Sequence, residues 1–138
     1  MKNDGKAAEK AFIDHWERRG HVQRLRDKAD LMGINGGARV ADFSKPSDFL
    51  VSSKTDPLHY AEVKSTVHPT LFEFKCIRPA QRHAALMEAR RGHGNYRFYV
   101  FSYALGQWFT IGCELFAYHV EQGRKSLKFE ELTPWNLT

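Results

Sequence analysis

Cysteine is scarce in this chain, and long apolar runs are missing. Cys76 and Cys113 are the two cysteines and form no C-x-x-C pair, so neither a disulfide framework nor a zinc knuckle can be built from them. Both stand among apolar neighbours, Phe74 and Ile77 for the first and Ile111 and Leu115 for the second, and both are expected as small buried thiols. No segment approaches the ~18 consecutive apolar residues that a membrane span requires, which excludes a membrane protein. The opening stretch from Met1 to Lys6 lacks the apolar core and small-residue cleavage site of a secretory leader, so a cytoplasmic location is expected. No internal repeat or low-complexity run appears.

What is present fits one soluble domain over residues 1–138, with 42% apolar and 27% charged residues. A chain of this length buries about two thirds of its unfolded surface, enough for a core without disulfides. The formal net charge is +5, and its placement says more than its total. Between Lys75 and Arg97 stand Lys75, Arg78, Arg82, Arg90, Arg91 and Arg97 against one acid, Glu88. Such clustering points to a polyanion, because Lys and Arg gain affinity by displacing counterions from phosphates. The plainer alternative is a solvated helix face.

The periodicity predicts a helix from Lys6 to Arg18, with Ala8, Ala11, Phe12 and Trp16 on its apolar stripe and Gly20 as its stop. Residues 21–27 fit a short strand or, with Val22, Leu25, Ala29 and Met32, a helix. Gly33, Gly36 and Gly37 mark a loop, and no Lys-Ser/Thr follows to make it a nucleotide cradle. A strand opened by proline is predicted over Pro46–Ser53, a turn at Lys54–Pro57, and a returning strand over Leu58–Ser65. A helix follows from Arg78 or Pro79 to Arg91, then a buried strand from Tyr96 to Tyr103 with Gln107–Ile111 as its partner. The last elements are a short helix near Glu114–Gln122 and a strand or tail around Leu127–Phe129.

The chemistry is concentrated in the hairpin. Side chains alternate along a strand, so Glu62 and Lys64 share one face while Val63 points to the other, and the turn folds Asp48 back toward them. Phe49, Val51, Ala61 and Val63 are the expected buried face. Two carboxylates and an ammonium on one patch suit Mg²⁺, which takes carboxylate oxygens and leaves positions for water and phosphate. Glu9, one turn before Phe12 and Ile13, is either a third carboxylate for the same ion or an acid favoured by the helix dipole. Glu73-Phe74-Lys75 repeats the spacing but follows a proline-broken loop, and Asp42 rivals Asp48 from outside the apolar strand. The seven histidines show no H-E-x-x-H spacing and are read mainly as surface or nucleic-acid-facing groups, with His59 on the face opposite Glu62. The aromatics between Tyr96 and Tyr118 are read as core rather than as a base-stacking platform.

Pro46-Ser47-Asp48 followed by Glu62-Val63-Lys64 resembles the bipartite signature of the PD-(D/E)XK nuclease superfamily. The helical Glu9, the stretch Phe72–Gln81 and the apolar strand from Arg97 to Tyr103 are similar to its bacterial, phage and archaeal Holliday-junction resolvase branch, over roughly residues 5–112. The resemblance implies an α/β restriction-endonuclease-like core: a central mixed sheet flanked by helices. It further implies a Mg²⁺-dependent endonuclease, with Mn²⁺ able to substitute, that nicks four-way DNA junctions as a homodimer in recombination, repair or phage DNA processing. Asp48, Glu62 and Glu9 become metal-site residues, Lys64 the catalytic lysine, and Gln81 the glutamine beside the scissile phosphate. Lys6, Lys10, Lys75, Arg78, Arg82, Arg90 and Arg91 would then grip DNA phosphates without reading sequence. The chain departs from the family pattern in having Ser47 between proline and aspartate, and no junction-entering stalk is recognisable. Two other readings stand beside this one: a catalytically silent nucleic-acid-binding module of the same fold, and a restriction or repair nuclease acting on ordinary duplex.

Overall fold

A computed structural model describes residues 1–26 and 45–137; the expectations placed on Ala29, Met32, Gly33, Gly36, Gly37 and Asp42 fall outside the described residues. Helix α1 (Gly5–Arg19) is opened by Asp4, whose side chain accepts a hydrogen bond from the Ala7 N–H at 3.0 Å. Strands β1 (Gly20–Arg24), β2 (Phe49–Ser53) and β3 (His59–Thr66) follow, then a short β4 (Leu71–Glu73) that runs into a 3₁₀ turn. Next come α2 (Pro79–Arg91), β5 (Tyr96–Ser102), β6 (Gln107–Gly112), α3 (Cys113–Glu121), β7 (Ser126–Lys128) and β8 (Thr133–Trp135). Of residues 21–27, which the sequence left open between strand and helix, 21–24 belong to a strand paired with β2 that begins at Gly20.

Six strands form a mixed sheet in the order β1-β2-β3-β5-β6-β8, with every neighbouring pair antiparallel except β3 and β5. A parallel pair cannot be joined by a tight turn, so the chain needs a crossover between them, and α2 lies on it. β4 and β7 pair as a separate two-stranded sheet.

The sheet has apolar packing on both faces. On one, Ala8, Phe12 and Trp16 of α1 pack on Phe49, Val51, Ala61, Val63, Tyr99 and Trp108. Phe12 is wholly buried there, a change worth about 2 kcal/mol on apolar area alone. On the other, Phe98, Val100, Phe109 and Ile111 meet Ala85 of α2, Cys113 and Phe116 of α3, and Phe72 and Leu127 of the small sheet. Strand parity therefore holds as expected: Ala61 and Val63 face α1, and Glu62 and Lys64 leave β3 on the other side.

Several expectations need correction. Pro46, Ser47 and Asp48 lie outside β2, because pairing with β3 begins only at Phe49 opposite Ala61 and the Ser47 hydroxyl donates to the Phe49 carbonyl at 2.9 Å. Cys76 is exposed, since the 3₁₀ turn directs Phe74 and Ile77 inward and turns Lys75 and Cys76 between them out, whereas Cys113 is buried. His15 is buried rather than a surface group, while His59 lies on the buried face opposite Glu62 as expected. His59 is held between the Pro57 carbonyl at 2.8 Å and the Tyr99 hydroxyl at 2.7 Å, and burial lowers its pKa. Most of the aromatics between Tyr96 and Phe116 are core residues; Tyr118 is exposed.

Candidate active site

Asp48 and Glu62 are fastened to each other through the backbone. The Asp48 N–H donates to Glu62 Oε1 at 3.0 Å, and the Val63 N–H donates to Asp48 Oδ2 at 3.0 Å. This reciprocal pair clamps the residue before β2 to the middle of β3, which is how positions fourteen apart in sequence come together. Each carboxylate also faces an ammonium group. Lys45 Nζ lies 3.3 Å from Asp48 Oδ1, and Lys64 Nζ lies 3.1 Å from Glu62 Oε2.

Burial makes the arrangement costly. Glu62 has no exposed surface and Asp48 retains 9%, and a carboxylate removed from water is destabilised unless it is paired and hydrogen-bonded. Glu62 Oε2 has Lys64 as its ion-pair neighbour but no hydrogen-bond partner. The consequence is a Glu62 pKa pushed up to about 7, first by burial and then by the negative charge of Asp48, with Lys64 pulling the other way. Tyr96, whose hydroxyl donates to the Pro46 carbonyl, has its pKa raised by burial and by the same two carboxylates.

A cleft of about 280 Å³ reaches Asp48 and Lys64, lined by Gly5, Glu9, Asp48, Val63, Lys64, Ser65 and Arg78, with Glu62 buried behind that lining. Glu9 therefore stands on the wall of the cleft, as the sequence placed it, with its carboxylate in an ion pair with Arg24 at 3.2 Å. Lys6 and Lys10 line an adjoining depression beside Glu9 and Arg24, and Lys10 also bonds Asp14 at 2.8 Å. Gln81, at the first turn of α2, is buried and donates through Nε2 to the Lys45 carbonyl at 2.7 Å, while its Oε1 is buried without a partner. Among the other basic residues, Arg78 is exposed at the cleft, Lys75 pairs with Glu73, Arg90 with Glu121, and Arg91 is exposed at the end of α2.

Lys45 is a neighbour of the carboxylate pair that the sequence did not reveal. Its side chain is 9% exposed and balances Asp48 from three residues upstream, while Gln81 holds its carbonyl. The only signal available was a lysine beside Pro46, in an irregular stretch with no periodicity to reveal its direction.

No protein-family model matches the chain, and no curated protein matches it. The fit to a divalent cation therefore rests on geometry. Among the described residues no three His, Cys, Asp or Glu side chains gather as a ready ligand cluster. The Asp48–Glu62 pair nevertheless offers hard oxygen donors of the type Mg²⁺ accepts, with one buried oxygen lacking a hydrogen bond and a glutamate whose pKa burial and the Asp48 charge raise to about 7, a bias that a dication would oppose. The donor set fits.

Proposed function

We propose that this protein is a Mg²⁺-dependent, structure-selective DNA endonuclease, a Holliday-junction resolvase of the PD-(D/E)XK type acting as a homodimer. The observation that carries the reading is the buried Asp48–Glu62 pair with Lys64 beside it at the mouth of a cleft walled by Arg78 and Glu9. Asp48 and Glu62 would hold the cation, with Glu9 across the cleft. Magnesium, when bound there, supplies charge neutralisation at the phosphate and a lowered pKa for water.

The protein's own groups account for the rest. In the metal-free arrangement two carboxylates are balanced by two ammonium groups, so an added dication leaves the pocket positive and complementary to a phosphodiester. Lys64, partly exposed at the cleft, orients the attacking water or offsets charge as it develops on phosphorus. Arg78, at the start of α2, is placed to hold a phosphate oxygen of the bound strand. Gln81 acts one layer back: its bond to the Lys45 carbonyl sets the segment that carries Lys45 and Asp48.

The test is a cleavage assay with a labelled four-way junction, a linear duplex and a single strand, in Mg²⁺ and in Ca²⁺. Paired symmetric nicks confined to the junction are expected, and abolished by Asp48→Asn and by Glu62→Gln while DNA binding persists. Indifferent degradation of all three substrates removes the resolvase assignment; cutting of linear duplex at defined sites points to a restriction or repair enzyme. Binding without metal-dependent cutting leaves the silent module.

A further inference from the structure

A second cavity, of about 460 Å³, lies at the far end of β2 and β3 from the carboxylate pair. Its walls are the last turn of α1, the turn joining β2 to β3, Arg97 at the start of β5, and Trp135. Nothing in the nuclease reading uses it.

Its charge is one-sided. Arg18, Arg19, Lys54 and Arg97 line it against one acid, Asp56. That carboxylate is already engaged, accepting from the hydroxyls of Ser53 at 3.2 Å and Thr55 at 3.3 Å, with Arg97 Nη1 at 3.7 Å from its other oxygen. Arg97 is held in place by the Tyr99 hydroxyl at 3.2 Å and by the Tyr99 ring beneath it. Arginines in the last turn of α1 answer the negative end of the helix dipole, but Lys54 and Arg97 come from other elements and exceed that need.

Two residues of the same wall carry buried nitrogens without partners. His15 Nδ1 and Trp16 Nε1 are both enclosed with no hydrogen bond, although Trp16 is 2% exposed and His15 9%. An indole N–H can only donate, so Trp16 is short of an acceptor. Burial, then the charges of Arg19 and Arg18, lowers the His15 pKa, a bias that an anion in the cavity would relieve. The remaining wall is the ring of Trp135, in edge contact with His15 at 4.8 Å.

We propose that this cavity is a phosphate site separate from the cleft, taking a small phosphomonoester whose charged group meets Arg18, Lys54 and Arg97 and whose body lies against Trp135. A mononucleotide and inorganic phosphate share this chemistry, and they differ only in the contact with Trp135. The site is independent of the nuclease assignment and stands or falls by itself.

The experiment follows the indole N–H resonances of Trp16, Trp108 and Trp135 in the ¹⁵N-labelled full chain. Inorganic phosphate, thymidine 5′-monophosphate and thymidine are titrated at constant ionic strength. Saturable shifts at Trp16 and Trp135 are expected with both phosphates, with little movement at Trp108. The Arg18→Ala/Lys54→Ala double variant, which changes only exposed side chains, should weaken the apparent Kd by about tenfold, and Lys64→Ala should leave it unchanged. Tighter binding of the nucleotide than of phosphate supports the Trp135 contact; equal binding keeps the phosphate site and removes that contact. Unmoved Trp16 and Trp135 signals, shifts caused equally by thymidine, or a titration abolished by Lys64→Ala instead of the double variant would overturn the proposal.

Discussion

Glu62-Val63-Lys64 and Glu73-Phe74-Lys75 have the same residue types at the same spacing, and the fold treats them differently. In the first, an eight-residue strand carries the triplet through the middle of the sheet, leaving the side chains of Glu62 and Lys64 with 0% and 19% exposure at 3.1 Å. In the second, a three-residue strand ends at Glu73 and a 3₁₀ turn carries Lys75 outward, leaving 35% and 77% exposure at 3.4 Å. Water screens the outer pair and makes it worth little, whereas the inner pair is desolvated and its glutamate acquires an unusual proton affinity. Spacing proposes a site; the depth at which the backbone sets it decides its chemistry.

The sharpest way to break this contrast is the lysine exchange. Lys64→Ala should lower the junction-cleavage rate by roughly 10²- to 10³-fold with metal binding retained, the scale of losing one charge-stabilising group. Lys75→Ala should stay within a factor of about three, since an exposed cation contributes to backbone contact alone. Equal losses in a single-turnover assay would mean that burial does not distinguish the triplets.

A stability measurement comes next. Glu62 keeps its proton in the folded chain up to about pH 7, while the ordinary value is 4.5, so the folded state holds more protons between those values. The Glu62 contribution to stability is therefore fully present below about pH 4.5 and is lost as pH rises to about 7, by on the order of 3 kcal/mol. Glu62→Gln removes that loss: at pH 8 it should unfold later than the parent, with the difference closing near pH 4.5 in urea titrations. Glu73→Gln should change stability by no more than about 0.5 kcal/mol at either pH. A flat pH profile for the difference between Glu62→Gln and the parent would refute the buried-proton account.

Smaller effects sharpen the same point. Magnesium at about ten times its Kd should stabilise the parent by roughly 1.4 kcal/mol at pH 8, visible as a rise in Tm that Glu62→Gln loses and Glu73→Gln keeps. Tyr96→Phe, which deletes the hydroxyl that anchors the Pro46 carbonyl, should cost about 1 kcal/mol in chemical denaturation without altering the Glu73 pair.

The alternation rule was enough to read β3 from sequence, since a one-residue error would have reversed every side chain, and Ala61 and Val63 fall on the buried α1 face as expected. The helices were legible to within a residue or two for a similar reason, having apolar spacing and punctuation by proline or glycine. Of the small β4–β7 sheet, β7 overlaps the strand or tail expected around Leu127–Phe129, but β4 and the pairing were not legible, because three residues carry too little alternation to register. Nor was β8, where Pro134 stands opposite Phe109, a placement allowed only because the strand lies at the sheet's edge. At the site, Asp48 and Glu62 were visible as paired acids on adjoining segments, whereas Lys45 and the anchoring role of Gln81 depend on an irregular segment whose course no periodicity encodes.

Trp135 makes ring contacts with Phe12, His15, Trp16, Tyr99 and Trp108. The first helix thus waits for Trp135 before its aromatic seam can shut. During synthesis α1 must remain partly uncovered until position 135 has emerged, a long-range closure that slows folding and leaves an adhesive surface open meanwhile.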